Sequence, residues 1–147
     1  MEKDVKSIAI FGSGLMGSGI AQVFATKGIK VKIYSRNPAN SNARKSIESN
    51  LTTMADNNAF NRDKIQIVLD NIEISSNMKY VVEDASLVIE NFPEDMEIKQ
   101  NLFKELDGIC DTDIILASNT SVMSITEIGS RCKNKDRILG THFWNPP

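Results

Sequence analysis

Three stretches of this sequence carry residue types suited to chemistry. The first is His142, the single histidine, followed by Phe143, Trp144, Asn145 and Pro146. An imidazole with an unperturbed pKa of about 6.5 exchanges protons at neutral pH, so in a cleft it is a natural general acid/base. A lone histidine is as readily structural or merely exposed, and its neighbours must decide. The second stretch, Gly12, Ser13, Gly14, Leu15, Met16 and Gly17, is a complete G-x-G-x-x-G. Between a strand and a helix, its first glycine permits a tight turn and its second lets the backbone approach a pyrophosphate. Its third lets helix and strand pack closely, and the helix N-terminus favours the phosphate charge. Outside that context the same six residues are only a turn. The third stretch, residues 118–121, reads Ser, Asn, Thr, Ser at the edge of an apolar run. Hydroxyls there either hold an oxygen on which charge develops or simply end a strand.

These residues need a scaffold, and the hydrophobic pattern supplies one. Residues 6–11 are short, β-rich and nearly uncharged, as a strand buried in a parallel sheet is. Residues 14–27 carry Met16, Ile20, Val23 and Phe24 at helical spacing until Gly28 stops them. Residues 30–34 form a second strand, with Val31 and Ile33 alternating. Pro38 suits the first turn of a polar helix reaching to about Asn57, and a shorter helix covers residues 62–69. Residues 72–74 make a weak third strand and 86–90 a strong fourth. Pro93 opens a helix with Glu94, Asp95 and Glu97 in its first turn, where carboxylates suit the dipole. Its apolar face is Ile98, Leu102, Leu106 and Ile109. Residues 113–117 are a fifth strand, Ser124 and Glu127 a capping box, and 137–140 a sixth strand. Neither a repeat nor a linker interrupts the series. Strands alternating with helices predict one α/β domain over residues 1–147. It is a Rossmann-type doubly wound, mostly parallel sheet of six or more strands with helices on both faces.

In such a sheet ligands bind outside the carboxyl ends of the strands, which brings the glycine run, residues 118–121 and His142 to one edge. The cofactor this implies is NAD or NADP. The end of the second strand ordinarily carries an Asp or Glu about 20 residues beyond the loop, which accepts the ribose hydroxyls and repels a 2′-phosphate. Here Ser35 stands there, followed by Arg36. A serine beside a guanidinium does the reverse, each charge-assisted hydrogen bond to phosphate contributing roughly 1.5–3 kcal/mol. The expectation is a site that accepts NADP at least as well as NAD. The alternative is a solvated Arg36, with NAD bound through Ser35.

Composition sets the outer limits. The chain has 147 residues, 41% hydrophobic and 24% charged, ordinary for a globular domain and unlike a disordered or fibrous one. Its net charge of −2, without any block of like charge, argues against nucleic-acid and membrane-surface binding. Two cysteines, Cys110 and Cys132, make no disulfide framework and read as reduced thiols of a cytoplasmic protein. No run approaches the roughly 18 apolar residues of a membrane span. The first apolar segment begins at Val5, which leaves no room for a targeting peptide. No metal is expected.

Read together, the motifs resemble a family. The glycine loop, Val88-Ile89-Glu90, Pro93-Glu94, Lys99, Leu116-Ala117 with residues 118–121, and residues 142–146 occur in that order. They resemble the nucleotide-binding domain of the L-3-hydroxyacyl-CoA dehydrogenases, 3-hydroxybutyryl-CoA dehydrogenase among them, over essentially the whole chain. The resemblance implies His142 as general acid/base and Ser118 as hydrogen-bond donor to the substrate oxygen, near the cofactor. It implies Glu94, Lys99 and Asn145 around the nicotinamide ribose, and coenzyme A contact near Asn50 and Asn57. The partner it implies is a hydroxyacyl-CoA substrate of fatty acid metabolism.

There are three departures from that family. Ser35 replaces its usual aspartate, Trp144 replaces a common phenylalanine, and the sequence ends at Pro147. In the family a carboxylate that orients the histidine follows about a dozen residues later, and a helical domain then closes the cleft and forms a homodimer. The expectation is therefore a domain that binds dinucleotide but turns over hydroxyacyl-CoA poorly. Two alternatives stand beside it. Residues 34–38 also resemble the cofactor loop of NADP-linked β-hydroxyacid dehydrogenases acting on non-CoA acids, and the fold also serves non-catalytic structural relatives.

Overall fold

A computed structural model describes residues 5–147. The chain alternates strands and helices: β1 (Ser7–Phe11), α1 (Leu15–Thr26), β2 (Lys30–Tyr34), α2 (Ala43–Asp56), α3 (Ile65–Asp70) and β3 (Ile72–Ser75). Then come α4 (Met78–Val82), β4 (Leu87–Glu90), α5 (Met96–Ile109), β5 (Ile115–Ser118), α6 (Ile125–Ile128) and β6 (Ile138–Gly140). The strands form one parallel sheet in the order β3-β2-β1-β4-β5-β6, the doubly wound arrangement expected, with its switch point between β1 and β4. Register aligns the carboxyl ends: Tyr34 pairs with Ser75 and Phe11, Phe11 with Glu90, Glu90 with Ser118, and Ser118 with Gly140. That row is the shelf on which the site stands.

Strand alternation splits the core into two layers. Ile8, Ile10, Val31, Ile33 and Ile89 face α1, α2 and α3, where Ile20, Ile47, Leu51 and Val68 meet them. Ala9, Phe11, Val88 and Leu116 face the other way, against Val81, Leu102, Phe103, Leu106 and Ile128. Among the described residues no helix is long and apolar enough to cross a membrane.

Several boundaries differ from the sequence reading. Residues 38–57 are not one helix. Pro38–Asn40 is a separate 3-10 turn, Ser41 is extended, and α2 starts only after Asn42. Likewise residues 62–69 divide into a 3-10 turn, Arg62–Lys64, and α3. The helix expected from Pro93 begins at Met96, because Asp95 is extended and its carboxylate accepts the Ile98 N–H at 2.9 Å. Glu94 is thus outside the helix, and Ile98 is exposed while Lys99 and Phe103 take the inward face. The turn α4 escaped notice: five residues are too few to show a period, and its signal is the Asn77 cap on the Tyr80 N–H. One half of the capping box is present, Ser124 Oγ accepting from the Glu127 N–H at 3.4 Å.

Candidate functional site

The glycine loop leaves the carboxyl end of β1 and enters α1. Gly12 has φ +109°, and a Cβ there would lie 2.8 Å from the Asn91 carbonyl oxygen. Only glycine meets both demands. A Cβ on Gly17 would fall 1.9 Å from the Gly12 carbonyl oxygen, so this third glycine is a packing residue with no face on a cavity. Gly14, the N-cap of α1, differs: nothing lies within 4 Å of its Cβ position, and α1 has no acidic residue in its first turn. Gly12, Ser13, Gly14 and Leu15 form one wall of a cavity of about 920 Å³, with Ser35, Arg36 and Asn50 opposite. An open backbone cradle at a helix N-terminus is what a pyrophosphate requires, so the residues fit a dinucleotide.

A second cavity of about 570 Å³ continues along the shelf and shares Asn91 and Phe92 with the first. Met16, Glu94, Asn119, Ser121, His142, Trp144 and Asn145 line it. His142 follows β6 in a left-handed backbone conformation, φ +43°, which histidine adopts more readily than most residues. The turn is held from outside: the Phe143 N–H donates to Asn119 Oδ1 at 2.5 Å, and Asn119 Nδ2 donates to Asn91 Oδ1 at 3.0 Å. The Phe143 ring packs edge-on against Phe24. The imidazole lies 5.5 Å from the Trp144 ring, and no hydrogen bond from a described residue fixes either ring nitrogen.

Ser118 and Lys99 lie elsewhere and line neither cavity. Ser118 is fully buried and its hydroxyl donates to Glu90 Oε2 at 2.5 Å. Its one proton is committed inside the sheet, and it lines neither cavity. Ser121, three residues further and exposed, is the hydroxyl that faces His142's cavity. Lys99 is 1% exposed, and its Nζ is held by Glu90 Oε1 at 2.6 Å and the Phe92 carbonyl at 3.1 Å. With the Phe92 N–H also donating to Glu90 Oε1 at 2.5 Å, the buried pair closes a network that fixes the turn after β4. The strand register carried the signal for this, since Ser118 is flanked by Glu90 and Gly140 in mid-sheet.

Glu94 joins the two halves of the second cavity. Its carboxylate accepts from Thr120 Oγ1 at 2.8 Å and from the Ser121 N–H at 2.9 Å, and stands 3.8 Å from Lys99 Nζ. Partial burial pushes its pKa up, but the Ser121 and Thr120 hydrogen bonds, with the charges of Lys99 and His142, outweigh this and hold it below the usual carboxylate range. An anion therefore lines the same cavity as His142.

Of the residues expected at the site, Gly12, Ser13, Gly14, Leu15, Ser35, Arg36 and Asn50 meet at the larger cavity, and Met16, Glu94, His142 and Asn145 at the smaller. Ser121, Asn119 and Asn91 are additions. The first two lay within the polar tract already noticed, and Asn91 is the residue directly after β4.

The chain has known relatives in both sequence and fold. Over 140 residues the chain is 40% identical to 3-hydroxybutyryl-CoA dehydrogenase of Clostridioides difficile, an alignment covering 95% of this chain and 50% of that protein. The crystal structure of 3-hydroxybutyryl-CoA dehydrogenase from Escherichia coli superposes with a TM-score of 0.92 at 33% identity, over 98% of this chain and 30% of that one. That of (S)-3-hydroxybutyryl-CoA dehydrogenase from Ralstonia eutropha gives 0.92 at 30%, over 97% and 50%. The chain thus spans half the length of its Clostridioides difficile relative. The family model of the 3-hydroxyacyl-CoA dehydrogenase NAD binding domain matches residues 7–147, and the chain belongs to that family.

Proposed function

We propose that the chain binds a nicotinamide dinucleotide along the shelf and contributes the proton-transfer residue for interconverting the 3-hydroxyl and 3-oxo groups of a short L-3-hydroxyacyl-CoA. The observation that carries this reading is the placement of the sole histidine in a cavity that adjoins the glycine-loop cavity, with Asn91 and Phe92 lining both. When bound there, the nicotinamide ring supplies the hydride acceptor or donor. His142 takes the hydroxyl proton as the C3 hydrogen departs, or returns it in the other direction. Glu94 stabilises the imidazolium formed, and the Ser121 hydroxyl and Asn145 amide are the neutral groups available to hold the reacting oxygen and the nicotinamide ribose. Asn91 and Asn119 keep the His142 turn in place.

Because no hydrogen bond from a described residue orients the imidazole, the chain alone is expected to turn over slowly. The test is to incubate it with NAD or NADP and either L-3-hydroxybutyryl-CoA or free 3-hydroxybutyrate, following nicotinamide absorbance. Slow turnover confined to the thioester, and lost in His142→Gln with dinucleotide affinity retained, is the expected outcome. Turnover that prefers the free acid would favour a non-CoA hydroxy-acid dehydrogenase. Dinucleotide binding without redox change on either substrate would favour a non-catalytic relative.

A further inference from the structure

We infer that the adenosine end of the larger cavity is a 2′-phosphate subsite centred on Arg36, and that the chain binds NADP(H) in preference to NAD(H). The inference rests on the reading of that cavity as a dinucleotide site. Ser35 follows the last residue of β2, where the adenosine ribose sits in a doubly wound sheet. Its N–H donates to the Ser75 carbonyl at 3.0 Å, which fixes the direction in which the chain leaves the sheet. Arg36 comes next. It is exposed, lines the cavity, and is the only charged residue among the described residues lining it.

Among the described residues the other arginines are all engaged. Arg44 bonds the Leu69 and Ile72 carbonyls, Arg62 pairs with Asp56, Arg131 with Asn101, and Arg137 with Asp107. Arg36 alone makes no hydrogen bond or ion pair among the described residues, so its planar donor fork is free for an external anion. The rest of this end of the cavity, Asn37, Asn40, Ser41 and Asn42, is neutral and rich in side-chain donors. A carboxylate is the group that would accept ribose hydroxyls and repel a phosphate, and no carboxylate of a described residue lines the cavity. One free guanidinium with neutral donors and no opposing anion is a site for a phosphomonoester dianion.

Calorimetric titration of the chain with NADPH and NADH tests this directly. At low salt NADPH should bind at least about tenfold tighter. Arg36→Ala removes an exposed side chain with no hydrogen-bond or ion-pair partner among the described residues, so the fold should be unaffected. It should weaken NADPH by about tenfold or more and leave NADH within about twofold. Adding salt should shrink the NADPH advantage, because the site is exposed and screened. Ser35→Asp combined with Arg36→Ala should reverse the preference. NADH binding as tightly as NADPH, or Arg36→Ala weakening both alike, would overturn the subsite while leaving the dinucleotide reading intact. Failure of both dinucleotides to bind would overturn the reading of the cavity, and the subsite with it.

Discussion

At the scale of single residues, the two serines that bracket residues 118–121 have opposite environments, and so opposite consequences when removed. Ser118→Ala takes one donor from the buried Glu90 carboxylate and should cost about 1–3 kcal/mol of stability, read by urea unfolding, with dinucleotide affinity nearly unchanged. Ser121→Ala should leave the unfolding curve in place and lower turnover instead. Lys99→Met strands a buried carboxylate, so it should destabilise the chain by about 3–5 kcal/mol. If Lys99→Met folded as stably as the parent and lost only cofactor affinity, Lys99 would be a ribose ligand after all. The choice between Ser118 and Ser121 was not legible from the tract itself. Four small polar residues look alike in sequence, and only the register, with Glu90 beside Ser118, shows which hydroxyl is spent internally.

At the scale of elements, Asp107 and Arg137 lock the end of α5 to the approach to β6, 2.8 Å apart with both side chains nearly inaccessible. Burial pushes the Asp107 carboxyl up, but hydrogen bonds from Arg137, the Lys133 and Asn134 N–H groups and the Asn134 amide outweigh it and bring it down to about 2. A carboxyl with a lowered folded-state pKa adds stability that is complete above its unfolded value of 3.8 and lost as pH falls through about 2. The size is roughly 2 kcal/mol. Thermal unfolding of the parent should therefore weaken between about pH 4 and 2. Asp107→Asn should be less stable at neutral pH and lose part of that slope, and an unchanged slope would remove the lock from the account.

Element order and strand positions were readable from hydrophobic period, because a buried parallel strand and a one-sided helix leave different patterns. Boundaries were not, where local hydrogen bonding overrides propensity. Ser41 and Asp95 each hold an extended residue before a helix, and nothing in their composition distinguishes a cap from a first turn. The shift mattered for function, since it freed Glu94 from α5 and placed it between Lys99 and Ser121.

At the scale of the whole molecule, the two core layers leave one functional edge and bury both thiols. Cys110 is pushed up to about 11 by burial, which outweighs the nearby Arg137, and Cys132 is raised for the same reason. Neither should react with a disulfide reagent at pH 8 in the folded chain, and both should react promptly in denaturant. Rapid native-state labelling would show that the layer beneath β4 and β5 opens easily. The carboxyl edge itself carries Leu15, Val122 and Trp144, all largely exposed.

The central claim is that a nicotinamide ring docks beside His142. As the chain's only histidine, it gives a single set of imidazole signals by NMR. Titration with NADPH should move those signals progressively to saturation. The phosphorylated ADP-ribose half, which lacks the nicotinamide, should bind at the glycine loop and leave them close to their free positions. Imidazole signals that stay fixed at saturating NADPH would contradict the account.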